Sequence, residues 1–551
     1  MATQRIAFTE WTPDLPGVAE NLSIAKNVVP TALGYNPFPL GVDYSAAASE
    51  NLNNVFAGKF SATTNIFAGG ATKLFRLDGA DLSMDDVSKS VARSISNVAL
   101  TTNVATITTS SDHGYSTGDS VTVDASNNTF DGSYTITSTP TNTTFTYAKV
   151  NANIASASAT GTVIAASYAS VVKWNFTQFG NAIICANNIN KLQSFTLGSS
   201  SSFGDLNPSA PIAKFVTVVR DFVVAANLDA GSNANKVQWS NINDETNWTT
   251  GAASQSDYQI ISDGGNIHGM TGGEVGLIFL DRAIVRMSYI GSPLFFQFDT
   301  ISRGVGCVEG NTVVQYGSMT YFLGADGFYS CDGTTVTAIG TQKVDAWFYA
   351  NANPSKLNLM SSTIDPIRKI VVWSFIDNFA QNTLLIYNWQ VQKWSYCTTD
   401  VDYVASSASA GMTLEGLDLY GNMDTLTTSL DDALWSGGKF LFAGARDDKI
   451  VTFTGANSSA QLTTGDIGDG VTSVVTLARP IVDNGSGSVA IASRMLLSAV
   501  PELGSYTAAD SDNRVSLRSS GKYHRISVIP TGDRWSNAIG VDIDVSPQGS
   551  R

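Results

Sequence analysis

The chain has 551 residues, of which 14% are charged and 10% aromatic, and it contains 48 glycines. That profile fits a large all-β protein with many short strands and turns, and excludes a helical enzyme or a disordered chain. With 32 Lys and Arg against 47 Asp and Glu, the formal charge is −15, which argues against binding phosphate backbones across its surface.

The N-terminal MATQRIAFTEW lacks the basic-then-apolar pattern of a signal segment. No window approaches ~18 apolar residues, so the chain is expected to fold in a cytoplasm. Residues 1–55 form an irregular lead in which Pro13, Pro16, Pro30, Pro37 and Pro39 disfavour long helices. Phe56 to Asp78 reads as a first hairpin, with residues 56–94 opening a repeated pattern.

From Ile95 to Ala165 the composition changes to Ser and Thr with period-two alternation. Thr106, Thr108, Val121, Val123, Tyr134, Ile136, Phe145 and Tyr147 predict four or five short strands. This is expected to be a small β module inserted into the pattern, which resumes over residues 166–462.

The resumed units are Trp174–Leu197, Phe215–Trp239, Glu274–Tyr289, Tyr316–Ile339, Lys369–Trp394 and Trp435–Gly455. In Tyr316–Ile339, Ala325-Asp326-Gly327 and Asp332-Gly333 supply the turns between short apolar runs. A lone hairpin cannot bury its apolar face, so such units must stack. Outside the insertion they recur about every 47 residues, within the roughly 40–50 of propeller blades. The predicted fold is therefore a β-propeller of about seven blades, with six as the alternative. Leu414–Ser436 is the best helix candidate, although a structured loop fits equally. Residues 463–551 predict a second β domain against which the N-terminal lead packs.

Candidate chemistry is sparse. Cys185, Cys307, Cys331 and Cys397 show no C-x-x-C spacing and read as buried thiols. His113, His268 and His524 are far apart and form no metal-ligand pattern. Ser330-Cys331-Asp332-Gly333-Thr334 resembles the Asp-box of sialidase propellers, but its glycine is one place early and no Trp follows. Gly264–Gly273 is glycine-rich but is followed by a strand, so it is no phosphate cradle. Asp78, Asp81, Asp85 and Asp86 lack the calcium-loop register. Trp239, Trp248, Trp373, Trp389, Trp394 and Trp435 could stack on sugars, but strand-end aromatics more often form core. No catalytic, cofactor or metal site is expected. The basic residues Arg514, Arg518, Lys522 and Arg525 concentrate positive charge in an acidic chain and are interface candidates; a solvated strand face is the plain alternative.

Several segments carry a family resemblance. They are FTEWTPDLP with VVPTALGYNPFP, KLFRLDG with DDVS, WNFTQFGNAIICANNINKLQSF, VQWSNINDETNWTTG, DRAIVRMSYIGSPLFFQFDTIS, YFLGADGFYSCDG, LLIYNWQVQKWS and the terminal KYHRISV with RWSNAIGVDIDVSPQGSR. Together they make the chain similar to the tail nozzle, or packaged-DNA stabilisation, proteins of short-tailed bacteriophages. The Ile95–Ala165 module departs from that pattern. The resemblance implies a non-enzymatic virion protein that forms a ring, expected to be a hexamer, below the portal and tail adaptor proteins. Such a ring would retain packaged double-stranded DNA without binding it specifically and open for ejection at the host envelope. Tail fibres or spikes are further implied partners. A glycan-binding, receptor-recognising propeller on the virion is the alternative, and a cytoplasmic scaffolding propeller a third reading.

Overall fold

The computed structural model describes residues 2–18, 20–61, 63–113, 115, 117–166, 168, 171, 173–251, 254–410 and 437–548. The Leu414–Ser436 helix candidate lies outside them. The chain is all-β and divides into two units: residues 1–44, 261–408 and 440–551, and residues 45–260 with 409–439.

Among the described residues, seven groups of four antiparallel strands follow one another, six as separate four-stranded sheets and one, residues 361–398, as part of a nine-stranded sheet, and each of the seven hairpin units falls in its own group. The 45–260 unit carries three, over residues 52–86, 175–205 and 213–260. The other unit carries four: residues 267–303, 314–338, 361–398, and a last sheet of Tyr403–Ala408, Phe440–Arg446 and Lys449–Thr452. The fourth strand of that last sheet is Val42–Asp43, which pairs antiparallel with Thr452 and Val451. A strand that precedes the first sheet in sequence thus completes the seventh.

Short apolar runs explain why the sheets form, since the central strands, such as Ala182–Ala186 and Phe222–Leu228, are buried along their whole length. In the 314–338 sheet, Tyr321, Phe322 and Leu323 pair with Ser330, Tyr329 and Phe328, and all six are buried. The second turn ends at Gly333, whose φ of 88° lies in the region glycine enters at no steric cost.

The module inserted in the 45–260 unit begins with one long strand, Ser90–Thr101. That strand pairs with Gly161–Ala166 through its first half and with Val104–Thr109 through its second. The remaining pairings run 104–109, 144–148, 132–141, 120–125 and 161–166, so the sheet closes on itself. Its interior is a cluster of its own residues, from Ile95 to Val163, including Phe130, Phe145 and Tyr147.

Both termini build the second β domain. Strand Asn537–Pro547 pairs with Ser473–Asp483 on one side and, on the other, with Ala2–Ala7 and, at Tyr35, with the short Val28–Pro30/Tyr35–Pro37 hairpin. A facing sheet contains Gln461–Thr464, Tyr523–Thr531 and Ser486–Arg494. It joins the 361–398 sheet through Leu22–Lys26, which bridges Tyr396 and residues 461–464. One core runs through all of this, from Trp11 and Tyr35 through Phe328, Trp373 and Trp394 to Val528 and Val541.

Candidate functional site

The four basic interface candidates separate in the structure. Arg514 and Arg518 are exposed; Lys522 and Arg525 are half-buried. Arg514 meets Asp512 at 3.4 Å, both largely in solvent. Arg518 lies on Val515–Gly521, where Val515 is buried and Leu517 packs on the core, so Ser516, Arg518 and Ser520 share the outer face. Arg525 turns inward: its Nη2 donates to Asp466 Oδ2 at 3.0 Å.

Asp466 is the most enclosed charge in this region, its side chain only 1% exposed. Arg494 Nη2 donates to the same Oδ2, and Arg494 Nη1 donates to the carbonyls of Leu497 and Ala499. One buried carboxylate therefore gathers two guanidinium groups from neighbouring strands. Removing either partner of such a buried pair costs about 3–5 kcal/mol, so Arg525 is structural before it is anything else. Its neighbour His524 is buried between Ser473 and Ser493, whose hydroxyls sit 2.9 Å from Nε2 and 2.7 Å from Nδ1. Burial holds its pKa below the usual histidine value. Asp466, His524 and Ser473 line a cavity of about 780 Å³, with Ile6, Ile543 and Val545 as its apolar wall.

The other singled-out residues serve their own turns and cores. Asp332 Oδ1 accepts the amides of Thr334 and Thr335 at 2.8 and 2.7 Å, an Asx-type turn. Those bonds, with that from the Thr334 hydroxyl, hold its carboxyl below the ordinary range. Asp78 and Asp81 accept the Ala80 and Ser83 amides in the same manner. His113 is buried in the inserted module against Tyr115 and Phe145. His268 Nε2 lies 2.5 Å from Asp281 Oδ1, whose other oxygen accepts the Asn266 amide. Trp239, Trp248, Trp373 and Trp394 are buried, and the four cysteines are buried free thiols. Among the described residues no group of three or more His, Cys, Asp or Glu is arranged to hold a metal ion.

Sequence reasoning missed the acidic residues of the lead. Asp14 accepts the amides of Ala346 and Trp347 at 2.9 and 2.8 Å, at the start of the helix Asp345–Asn351. Glu10 pairs with Lys343 at 2.7 Å. Asp43 binds Arg446 and, at 2.9 Å, Lys449. No spacing signal ties residues this far apart in sequence.

No family model matches the chain, and no curated protein matches it. Among solved structures, the computationally designed Ika8 protein is 9% identical over 75% of this chain and 98% of its own, with a TM-score of 0.32. BamB from Moraxella catarrhalis is 11% identical over 41% of this chain and 62% of its own, with a TM-score of 0.23. A protein provisionally assigned as a 6-phosphogluconolactonase from Bacteroides uniformis is 11% identical over 63% of this chain and 95% of its own, with a TM-score of 0.28. Likenesses at this level carry no functional conclusion.

Proposed function

We propose that the chain is a structural protein of a short-tailed phage virion: a tail nozzle in which seven sheets close as a propeller and copies assemble into a ring. In this reading the ring, a hexamer, extends the DNA channel below the adaptor proteins, retains the packaged genome and opens for ejection. It performs no chemistry. The observation that carries the proposal is the way the chain is laced. The seventh sheet takes its last strand from residues immediately ahead of the first sheet, the arrangement expected of a closed propeller with no exposed sheet edges. The termini are then spent on a second β domain that shares its core with the 314–338 and 361–398 sheets. The segments that resemble the nozzle family, such as FTEWTPDLP and LLIYNWQVQKWS, lie at these joints, where Trp11, Trp373 and Trp394 are buried. An acidic chain also suits a channel through which duplex DNA must slide.

Electron microscopy of the purified protein tests the reading. Sixfold rings with a central channel support it. Dispersed monomers that bind sugars saturably support the receptor-binding propeller instead and overturn the nozzle.

A further inference from the structure

The sheet built on Asn537–Pro547 has two open edges, and they lie at opposite ends. Across it run Ala2–Ala7, Asn537–Pro547, Ser473–Asp483 and Val515–Gly521, each paired antiparallel with the next. Among the described residues, the backbone groups on the outer sides of Ala2–Ala7 and Val515–Gly521 make no hydrogen bond. Open edges are templates for pairing with another chain unless they are shortened, charged or covered. These two are matched in length, at six and seven residues.

Their charges are also matched. On the outer face of the sheet, Asp542 and Asp544 stand beside the 2–7 edge, opposite Arg5 and Thr3 in the pairing register. Asp544 Oδ1 accepts the Thr3 hydroxyl at 2.6 Å, and Asp542 holds Arg5 at 2.8 Å. Arg518 stands on the same outer face at the other edge, with Arg514 and Lys522 at its ends. At the 2–7 edge Arg5 offsets Asp542, which leaves Asp544, held only by the Thr3 hydroxyl, as the acidic group facing outward. At the other edge Asp512 meets Arg514, which leaves Arg518 as the exposed cation of the strand.

Resting on the ring reading above, we propose that the sheet runs on from copy to copy: the 515–521 edge of one copy pairs with the 2–7 edge of the next. Arg518 then reaches across Thr3 toward Asp544 of its neighbour. Because the two edges are different surfaces, the contact is heterologous, and a heterologous contact whose rotation closes generates a ring. Main-chain hydrogen bonds supply the adhesion, as in strand addition generally, and the charge pattern selects which edges meet.

The test uses the full chain with Arg518→Asp and Asp544→Arg made separately, followed by native mass spectrometry and electron microscopy. Both side chains are on the outer face, and an unchanged melting profile will establish that each variant is folded. The expected result is loss of the ring in each variant alone. Mixing the two variants restores a ring of alternating copies, because every contact then regains a complementary pair. If the wild type forms rings and both variants form them equally well, this inference fails and the ring reading stands. If the variants lose the ring and the mixture does not restore it, the paired edges are not the contact. Wild-type protein that remains monomeric at its highest soluble concentration overturns the ring reading itself.

Discussion

Asp14 caps Trp347: its carboxylate accepts the Trp347 amide at 2.8 Å, while Trp11, three residues earlier, meets the Trp347 ring edge-on with centroids 4.9 Å apart. The helix Asp345–Asn351 has Val344 at its cap, with no side-chain hydrogen bond from that residue. Asp14 supplies the missing acceptor from a distant part of the chain. Replacing Asp14 with Ala should therefore cost about 1–2 kcal/mol, the usual worth of a cap. Asp14→Asn should cost less, because one acceptor oxygen remains. Denaturant titration of the two variants, with Trp347 as a local fluorescence reporter, checks the ordering.

Asp345, at the first turn of the same helix, gives a pH dependence with a definite sign. Its carboxyl is pushed up to about 6 by burial, opposed by the Phe328 amide and reinforced by Asp14 and Asp326. Side chains at Gly327 and Gly340 would collide with this carboxylate, as a Cβ there would come within 2.2 and 2.0 Å of it. A folded pKa above the unfolded value of about 3.9 means that the native state holds the proton more tightly. The stabilising contribution is full below about pH 4 and is lost as pH rises through about 6. Asp345→Asn should flatten that dependence and raise stability near pH 7 by on the order of 1–3 kcal/mol. Thermal midpoints of both proteins between pH 4 and 8 measure it; parallel curves would contradict the assignment.

The seventh sheet depends on a short strand held by charge. Val42–Asp43 makes two register pairs, the Tyr44 amide donates to Ile450 at 2.8 Å, and Asp43 is shared by Arg446 and Lys449. Hydrogen bonds from Lys449 and Arg446 hold the Asp43 carboxyl below its ordinary range. This contribution is present above about pH 4 and is lost as pH falls through the depressed folded value. High salt weakens it too, since the side chains are partly exposed. Asp43→Ala should speed hydrogen exchange at Tyr44 and at the amides of 449–452, leaving the 361–398 sheet unchanged. Equal protection in variant and wild type would show that the backbone pairs alone hold the strand.

What was legible in the chain was whatever is local. Asp332-Gly333 and the Met319–Leu323 run declare a hairpin because turn chemistry and a short apolar run act within a few residues, although Thr320 to Leu323 are all buried instead of every second residue. The inserted module announced itself by a change in composition that reflects its separate core. The lacing was not legible. Val42–Asp43 is too short to show a period, and its partners lie some 400 residues on. The helix Asp345–Asn351 has no N-cap side chain next to it in sequence, because the cap is Asp14. Arg525 looked like surface charge, since nothing near it in sequence reveals Asp466 as its partner. Arg518, one strand away, kept the exposure that its alternation with Leu517 and Ser519 implies.

The inserted module gives the last prediction. Its first and last strands are paired from Ser90 with Ala166 to Ser94 with Thr162, so the entering and leaving chains lie side by side. The residues left by cutting out Ile95–Ala165, Ser94 and Ala166, stand four register positions apart, about 14 Å at roughly 3.4 Å per residue. The module's apolar cluster draws only on its own residues, so removing it opens no cavity in the three sheets of its unit. Insertions whose ends lie close together are the kind a host fold tolerates losing. Replacing Ile95–Ala165 with a linker of about six residues, roughly 12–15 Å in reach, should leave a folded protein that melts cooperatively. The excised module, Ser90–Ala166, should fold alone, with Tyr134 and Tyr147 stacked at 4.1 Å as its aromatic marker in near-ultraviolet circular dichroism. Insoluble or molten deletion protein would show that the module wedges against its host. If the variant folds, then on the nozzle reading proposed above, particles carrying it would separate two roles. Loss of cell attachment with full DNA retention assigns the module to adhesion, the outcome its exposed Ser/Thr strands favour, whereas leakage of DNA assigns it to the closure of the channel.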